Sequence, residues 1–297
     1  MGHNHSHHHN TTGNIKVAFF LNLIFTIIEF VGGLYTNSLA IMSDALHDLG
    51  DSFSLGLSWY FQKLSHKKPS NKFSYGYKRF SLLGAIVNSV ILVIGSIYIM
   101  SKAIPRLMHP TEADANGMMW LAILGIVVNG AAVLKLKQGT SINERVVSLH
   151  LLEDVLGWAA VLIASIIMQF WYVPILDPIL SLCIAAYVLF NVYKNIKETL
   201  HIILQGTPEE ISVDNVRIKL EKLPEINEIH DCHIWSLDGE YNLCTIHITI
   251  NNKLMTIADS SEIKKQVRQL LHDEFDLEHV TLELELINED CEYREGI

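Results

Sequence analysis

The chain is poor in charged residues. Of its 297 residues, 18% are Asp, Glu, Lys or Arg, whereas a soluble globular domain usually carries about 25%. Hydrophobic residues make up 49% of the chain, and its mean hydropathy is +0.26. This composition, together with several long apolar runs, argues against a purely soluble protein and predicts membrane-spanning helices.

Closely spaced cysteines and a basic soluble region are also missing. The four cysteines, Cys183, Cys232, Cys244 and Cys291, form no Cys-x-x-Cys pair, which argues against a disulfide framework and against an all-cysteine zinc site. Residues 208–297 contain 21 of the 32 acidic residues. Because a nucleic-acid-binding domain needs a basic face, this acidic region argues against a nucleic-acid partner.

Six apolar segments are each close to the roughly 20 residues that a helix needs to cross a bilayer. They lie at about 15–35, 39–61, 80–104, 117–136, 146–170 and 173–193. Lys and Arg are concentrated after the second, fourth and sixth segments, so the positive-inside rule predicts that both termini face the cytoplasm. If the second segment were instead a surface helix, everything after it would be inverted.

These patterns divide the chain into three parts. Residues 15–207 form the predicted six-helix membrane domain, and residues 208–297 form a small soluble domain. Residues 1–14 are a predicted flexible segment rich in histidine. Its run His-Asn-His-Ser-His-His-His is either a weak metal-collecting segment or a purification tag.

The soluble part reads as an α-β-β-α-β unit with helices on one face of an open sheet. The predicted elements are Ser212–Leu223, Ile226–Leu237, Tyr241–Asn251, Thr256–Phe275 and Val280–Ile287. Asp238-Gly239 is a strong signal for a two-residue hairpin turn between the first two strands.

Alternation along the strands assigns their side chains to two faces. One face of the sheet is expected to pack against the helices. Its residues are Cys244, Ile246, Ile248 and Ile250 of the second strand and Val280, Leu282, Leu284 and Leu286 of the third. The two-residue turn places His230 opposite His247 on the other face. That face also receives Glu283 and Glu285 from the third strand, whereas His233 points away from it unless a bulge intervenes.

Two pairs of ionisable residues lie within apolar segments. His47 and Asp51 are four residues apart and share one helix face, and His150 and Asp154 repeat this spacing in the fifth segment. Ionisable groups at lipid depth are costly and usually line a cavity or bind a partner. Two imidazoles and two carboxylates are the ligands of a tetrahedral Zn²⁺ site. One pair alone would more simply be a buried His–Asp hydrogen bond.

Four further acidic residues accompany these pairs. Asp44 and Asp48 lie on the stripe of His47 and are interpreted as supporting or cavity-lining groups rather than ligands. Glu29 is expected to make helix–helix hydrogen bonds, or else to line the pathway. Asp177, before Pro178, is expected to cap a helix at the outer surface.

Taken together, the motifs resemble the cation diffusion facilitator family, and most closely its zinc-exporting, zinc/cadmium resistance branch. The motifs, in the expected order, are Ser38–His47 with Asp51, Tyr75–Arg79, His150 with Asp154, and His230–Trp235. The sequence departs from the family at Ser81, where Glu is frequent. It also has Tyr77 in place of a His that forms a loop metal site in some members.

The resemblance implies a homodimer in the lipid bilayer that exchanges cytosolic Zn²⁺ for protons, with a ferredoxin-like C-terminal domain. It also implies a cytoplasmic zinc site at His230, His247 and Glu285; the alternative is an ordinary solvated face. The expected location is a bacterial inner membrane, with several spans.

The predicted function is therefore secondary export of Zn²⁺, with Cd²⁺ or Co²⁺ as further candidate cargo, around His47, Asp51, His150 and Asp154. An intramembrane zinc hydrolase is the first alternative, but the His-Glu-x-x-His motif typical of such enzymes is absent, so no enzyme is predicted. A membrane-anchored metal sensor is the second, and it would need no ligands at lipid depth.

Overall fold

The structure is a computed structural model that describes residues 23–65, 67–136, 142–251 and 256–287, together with Cys291. The histidine-rich segment 1–14 and the side chain of His150 lie outside the described part of the chain. The chain forms two compact units. The first contains the chain up to Tyr60 and Gly84–Asn195, and the second contains Phe61–Leu83 and Ile196–Ile297. The domain boundary near residue 207 stays a prediction.

Six helices are described between residues 23 and 203. They are α1 (Leu23–Thr36), α2 (Leu39–Ser65), α3 (Phe80–Met108), α4 (Ala115–Leu136), α5 (Ile142–Phe170) and α6 (Leu176–Ile203). Each overlaps one of the six apolar segments. Most of them extend beyond the predicted bounds, because hydropathy marks the part of a helix that lies in lipid rather than the point where its hydrogen bonding ends.

Four of these helices are long and apolar enough to cross a membrane: α3, α6, Ala115–Leu134 of α4 and Leu151–Phe170 of α5. Four predicted spans are therefore confirmed. The described part of α1 is a shorter apolar helix. Helix α2 has 27 residues but includes Asp44, Asp48 and Asp51, which lower its hydropathy. Spans one and two stay predictions.

The soluble part has the predicted α-β-β-α-β order. Its elements are α7 (Val213–Leu220), β1 (Ile226–Ser236), β2 (Asn242–Ile250), α8 (Ile257–Phe275) and β3 (Leu277–Leu286). The sheet order is β1-β2-β3, with β2 antiparallel to β1 and parallel to β3. The parallel pair follows from the crossover helix α8 between β2 and β3.

Helix α8 has well-defined ends. The Thr256 hydroxyl accepts the backbone N–H of Asp259, and the Asp259 carboxylate accepts the backbone N–H of Thr256, which is a capping box. At the other end Asp276 adopts a left-handed conformation with φ 55°. This residue turns the chain directly into β3, which therefore begins at Leu277 rather than at the predicted Val280.

The core of this domain lies between one sheet face and the two helices. Cys244, Ile246, Ile248 and Ile250 are buried against helix residues such as Leu271, so the predicted inner face of β2 is confirmed. Among the described residues expected to face the helices, only Leu286 at the end of β3 does not fit, because it is 45% exposed.

The predicted two-residue turn at Asp238-Gly239 is wrong. Ser236 pairs with Asn242, and the Leu237 N–H donates to the Tyr241 carbonyl at 2.9 Å, so the connection is longer. Asp238 stabilises it by accepting backbone N–H groups through its side chain.

A bulge in β1 offsets the longer turn by one residue. The register shifts between His230 and His233, where Asp231 has φ 44°. His230 consequently pairs with His247, as predicted, although the prediction reached this pairing without the longer turn or the bulge.

Candidate metal centres

The first candidate centre lies on α2. His47 and Asp51 are one helical turn apart, and His47 Nε2 lies 3.6 Å from Asp51 Oδ2. Their side chains are 19% and 23% exposed, so they lie at a partly accessible position in the first unit. His47 also lines a small cavity with Ser43 and Ser96. The structure therefore places this pair on a single face, as the spacing predicts.

The second pair lies on α5. Asp154 is 6% exposed, and His150 belongs to the helix although its side chain is outside the described part. A Cβ on Gly157 would lie 3.9 Å from Asp44 Oδ1, so α2 and α5 approach each other one turn after Asp154. This places the two predicted half-sites on neighbouring helices. The convergence of all four ligands stays a prediction.

Buried carboxylates surround this approach of α2 and α5. Glu29, Asp44, Asp48 and Asp154 are each at most 7% exposed. Glu29 lies beside Asp48, and it experiences the charges of Asp44 and Asp154. The Glu29 carboxyl also lies near the Trp158 side chain of α5, so it contacts both α2 and α5, and its expected helix–helix hydrogen bond stays a prediction. Crowded, buried carboxylates attract cations, whether metal ions or protons.

Asp177 acts as a cap, but for a different helix from its own. It lies in the first turn of α6 and is 1% exposed. Its carboxylate accepts the Ser38 hydroxyl at 2.5 Å and the backbone N–H groups of Leu39 and Ala40 at 2.8 and 3.1 Å. The carboxylate therefore caps the N-terminus of α2, the helix that carries His47, and joins it to α6.

The second candidate centre lies on the sheet face opposite the one that packs against α7 and α8. Glu285 Oε1 lies 2.7 Å from His247 Nδ1, and Glu285 Oε2 lies 3.1 Å from His230 Nε2. The His230 and Glu285 side chains are 6% and 7% exposed. The structure thus brings together all three residues predicted for the cytoplasmic site, one from each strand.

Burial alone raises the pKa of Glu285, but hydrogen bonds from Cys291 and His247, together with the charges of His230 and His247, outweigh it. The pKa of this carboxyl is therefore held below its ordinary value. An ionised carboxylate is the form that binds a metal ion.

The outer nitrogen of His247 is held by two further carboxylates. His247 Nε2 lies 3.4 Å from Glu283 Oε2 and 3.6 Å from Asp231 Oδ2. Such partners fix the ring of a metal-binding histidine and aim its other nitrogen at the metal. Asp231 reaches this position through the bulge. His233 is 44% exposed and contacts Asp231 at 2.8 Å, outside the group that Glu285 bridges.

Sequence reasoning missed Cys291. Its Sγ lies 3.4 Å from His230 Nε2 and 3.5 Å from His247 Nδ1. Potential ligand atoms of His230, His247, Glu285 and Cys291 all lie within 4.8 Å of one another. The only sequence signal was a cysteine six residues after Glu285, a short enough distance for the chain to return to the end of β3.

The segment Tyr75–Arg79 belongs to the second unit. Gly76 has φ 81°, a conformation that favours glycine. Lys78 Nζ lies 3.7 Å from Asp238 Oδ2 and 4.3 Å from the centroid of the Tyr241 ring. The basic end of this segment therefore contacts the connection between β1 and β2.

Comparison with known proteins gives a consistent assignment for both units. Residues 15–204 match the model of the cation efflux transmembrane domain, and residues 208–286 match that of the cation efflux protein cytoplasmic domain. The chain belongs to the cation efflux family. Members of this cation efflux (cation diffusion facilitator) family are membrane transporters of metal cations and not enzymes, so the family assignment from the motifs is confirmed.

Individual cation efflux proteins match along nearly the whole chain. The chain is 36% identical over 290 residues to a cadmium, cobalt and zinc/H(+)-K(+) antiporter of Bacillus velezensis, covering 96% of this chain and 92% of that protein. It is 32% identical over 292 residues to the zinc transporter ZitB of Pectobacterium atrosepticum, covering 96% and 89%.

A solved structure of the metal-bound C-terminal domain of the CzcD transporter from Cupriavidus metallidurans shares 29% identity. The match covers 26% of this chain and the whole of the solved domain, with a TM-score of 0.23. This score is too low to bear on the fold.

Proposed function

We propose that this cation efflux protein exports Zn²⁺ from the cytoplasm in exchange for protons, at a tetrahedral site of His47, Asp51, His150 and Asp154. The supporting observation is the paired His47 and Asp51 on α2, together with the buried Asp154 on the neighbouring α5. Imidazole and carboxylate ligands suit Zn²⁺. Relatives named as cadmium, cobalt and zinc antiporters make Cd²⁺ and Co²⁺ further candidate cargo.

Metal binding at such a site is coupled to proton movement by the chemistry of its ligands. The imidazoles must be neutral and the carboxylates ionised before they bind, so metal binding releases protons. Protons that enter from the outer side displace the ion in turn. Alternating access, in which helices rock around a fixed mid-membrane site, then exchanges one metal ion for one or more protons.

The proposed architecture has six spans, with both termini in the cytoplasm of a bacterial cell whose inner membrane holds the protein as a homodimer. The C-terminal domain is proposed to be ferredoxin-like and to bind regulatory Zn²⁺ at His230, His247 and Glu285. We propose that the contact between Lys78 and Asp238 transmits metal binding in this domain to the start of α3.

Zinc uptake into sealed vesicles that contain the purified chain tests the transport site. His47→Ala and Asp154→Asn are expected to lower the zinc flux and the coupled proton flux at least tenfold, a loss typical of altered metal ligation. Glu153→Gln is the matched control, because Glu153 is an exposed carboxylate next to Asp154. It should leave both fluxes near the parent rate.

The same assay separates the alternatives. A sensor would show no metal-dependent proton flux in any variant, and a hydrolase that used Glu153 as its base would lose activity in Glu153→Gln. If His47→Ala and Asp154→Asn transport zinc at the parent rate, the proposed site is wrong. Replacing internal K⁺ by an impermeant cation tests whether K⁺, which the name of the Bacillus relative includes, contributes to the exchange.

A further inference from the structure

The end of the described chain returns to the sheet face that carries the proposed cytoplasmic site. Cys291 is half-buried there, and its thiol contacts a nitrogen of His230 and a nitrogen of His247. It also hydrogen bonds to Glu285. The thiol therefore touches all three residues of that site.

The distances fit a tetrahedral ion with one sulfur ligand. Zn–N bonds of about 2.0 Å and Zn–S bonds of about 2.3 Å, at tetrahedral angles, separate nitrogen from sulfur by about 3.5 Å. The distances from Sγ to His230 Nε2 and to His247 Nδ1 are 3.4 and 3.5 Å. Glu285 makes a 2.7 Å hydrogen bond with His247 and a 3.1 Å ion-pair contact with His230, and a tetrahedral ion would widen these nitrogen–oxygen distances to about 3.3 Å.

The charges also favour a thiolate. His230 and His247 bind as neutral rings, so a site of these residues and Glu285 alone would leave one positive charge on a bound divalent ion. The His230 and Glu285 side chains are almost fully buried, where a charge on the metal and its ligands is costly unless it is balanced nearby. A thiolate from Cys291 balances the divalent ion within the set of four ligands, and the carboxylates of Glu283 and Asp231 at His247 Nε2 add negative charge outside that set.

We propose that Cys291 is the fourth ligand of the cytoplasmic site, which makes it a closed His₂GluCys site for Zn²⁺ and Cd²⁺. This inference rests on the proposed binding of metal by His230, His247 and Glu285. A thiolate ligand selects zinc-class ions over Mg²⁺ and Mn²⁺, which prefer oxygen ligands. The chain after β3 is thereby tied to metal occupancy of the sheet.

Cobalt absorption of the purified full-length protein tests the fourth ligand. Co²⁺ bound to a thiolate gives a sulfur-to-metal charge-transfer band, and the transport site, which has no sulfur, cannot contribute to it. We expect the band in the parent and in His47→Ala, and its loss in Cys291→Ser. Cys232→Ser is the matched control, since Cys232 is a half-buried thiol of the same domain that packs against the hydrophobic core. It should keep the band.

Two further measurements give independent readouts. Calorimetry of Zn²⁺ binding in a His47→Ala background should give an affinity at this site that is at least tenfold weaker in Cys291→Ser. Zn²⁺ should also slow alkylation of Cys291 by N-ethylmaleimide, measured by mass spectrometry, in the parent but not in His230→Ala.

The outcomes separate this inference from the function on which it rests. If His230→Ala loses metal binding at the domain but the parent has no charge-transfer band, Cys291 is not a ligand and the three-residue site remains. If the band is lost in Cys232→Ser instead, the inference is also wrong. If neither His230→Ala nor Cys291→Ser changes binding at the domain, the cytoplasmic site itself is overturned, whereas vesicle transport through the membrane site is unaffected.

Discussion

Replacing Asp177 tests whether the α6 carboxylate holds the helix that carries the proposed transport ligands. Asp177 is 1% exposed and accepts three hydrogen bonds at the N-terminus of α2, from the Ser38 hydroxyl and from two backbone N–H groups. Asp177→Ala removes all three acceptor contacts and leaves buried donors behind. The carboxylate also faces the positive end of the α2 dipole, so its charge is lost as well.

The expected cost follows from these contacts. A helix cap is worth about 0.5–2 kcal/mol, and each buried donor left without a partner costs about 1–3 kcal/mol. Because the helix end can relax and recruit water, we expect Asp177→Ala to destabilise the first unit by about 3 kcal/mol. Asp177→Asn keeps one acceptor oxygen, and we expect it to lose about half as much.

Thermal unfolding of the detergent-solubilised protein, followed by the loss of monodisperse material, measures this cost. Asp114→Ala is the matched control, because the Asp114 carboxylate accepts the exposed N–H of Asn116 at the start of α4. Thermal stability should decrease in the order parent, Asp114→Ala, Asp177→Asn, Asp177→Ala. If Asp177→Ala is as stable as Asp114→Ala, Asp177 does not hold α2.

The remaining predictions concern a packing contact and a helix cap. A Cβ on Gly125 would lie 2.3 Å from the fully buried Trp158 ring, whereas no atom of the described residues lies within 4 Å of a Cβ on Gly130. In thermal unfolding, Gly125→Ala should cost about 1–3 kcal/mol and Gly130→Ala should cost nothing. Equal effects would contradict this packing. Hydrogen bonds from Thr256 hold the pKa of Asp259 below its ordinary value, so the capping box is complete above the ordinary pKa and is lost as the pH falls through the lowered one. The protection of amides at the start of α8, measured relative to their intrinsic exchange rates, should therefore fall in acid, and a fall of the same size in Asp259→Asn would show that this carboxyl is not responsible.

The register of the β1–β2 hairpin shows how far local rules reach. The pairing of His230 with His247 was predicted from a two-residue turn, but the connection is longer and a bulge at Asp231 restores the register. An Asp-Gly pair marks the position of a turn reliably. The length of the turn, however, depends on side chains such as Asp238, which here stabilises a longer loop. A bulge inside a strand has a weaker sequence signature still.

The positions of the residues proposed for the cytoplasmic site were predictable to different degrees. His247 and Glu285 follow from strand alternation, because a two-residue period assigns every side chain to a face. Cys291 lies beyond β3, where no periodicity fixes the path of the chain, so only tertiary structure brings it to His230. Absence of a Cys-x-x-Cys pair excluded an all-cysteine site but said nothing about a mixed one.

In the membrane helices, positions within one helix were predictable and contacts between helices were not. Their spacing placed His47 and Asp51 on one face, because helix geometry alone decides that. The partner of Asp177 was not predictable, since a carboxylate near the start of one helix gives no indication that it caps another. The approach of Asp44 to Gly157 likewise depends on how α2 and α5 pack.

Three of the four proposed ligands of the cytoplasmic site, His230, His247 and Glu285, come from three different strands, and metal binding there would affect the lifetime of the protein. An ion held by β1, β2 and β3 together would have to dissociate before any edge of the sheet could peel away, so each tenfold rise in free metal above the dissociation constant adds about 1.4 kcal/mol against opening. Resistance of this domain to proteolysis would then rise with the concentration of free metal ion.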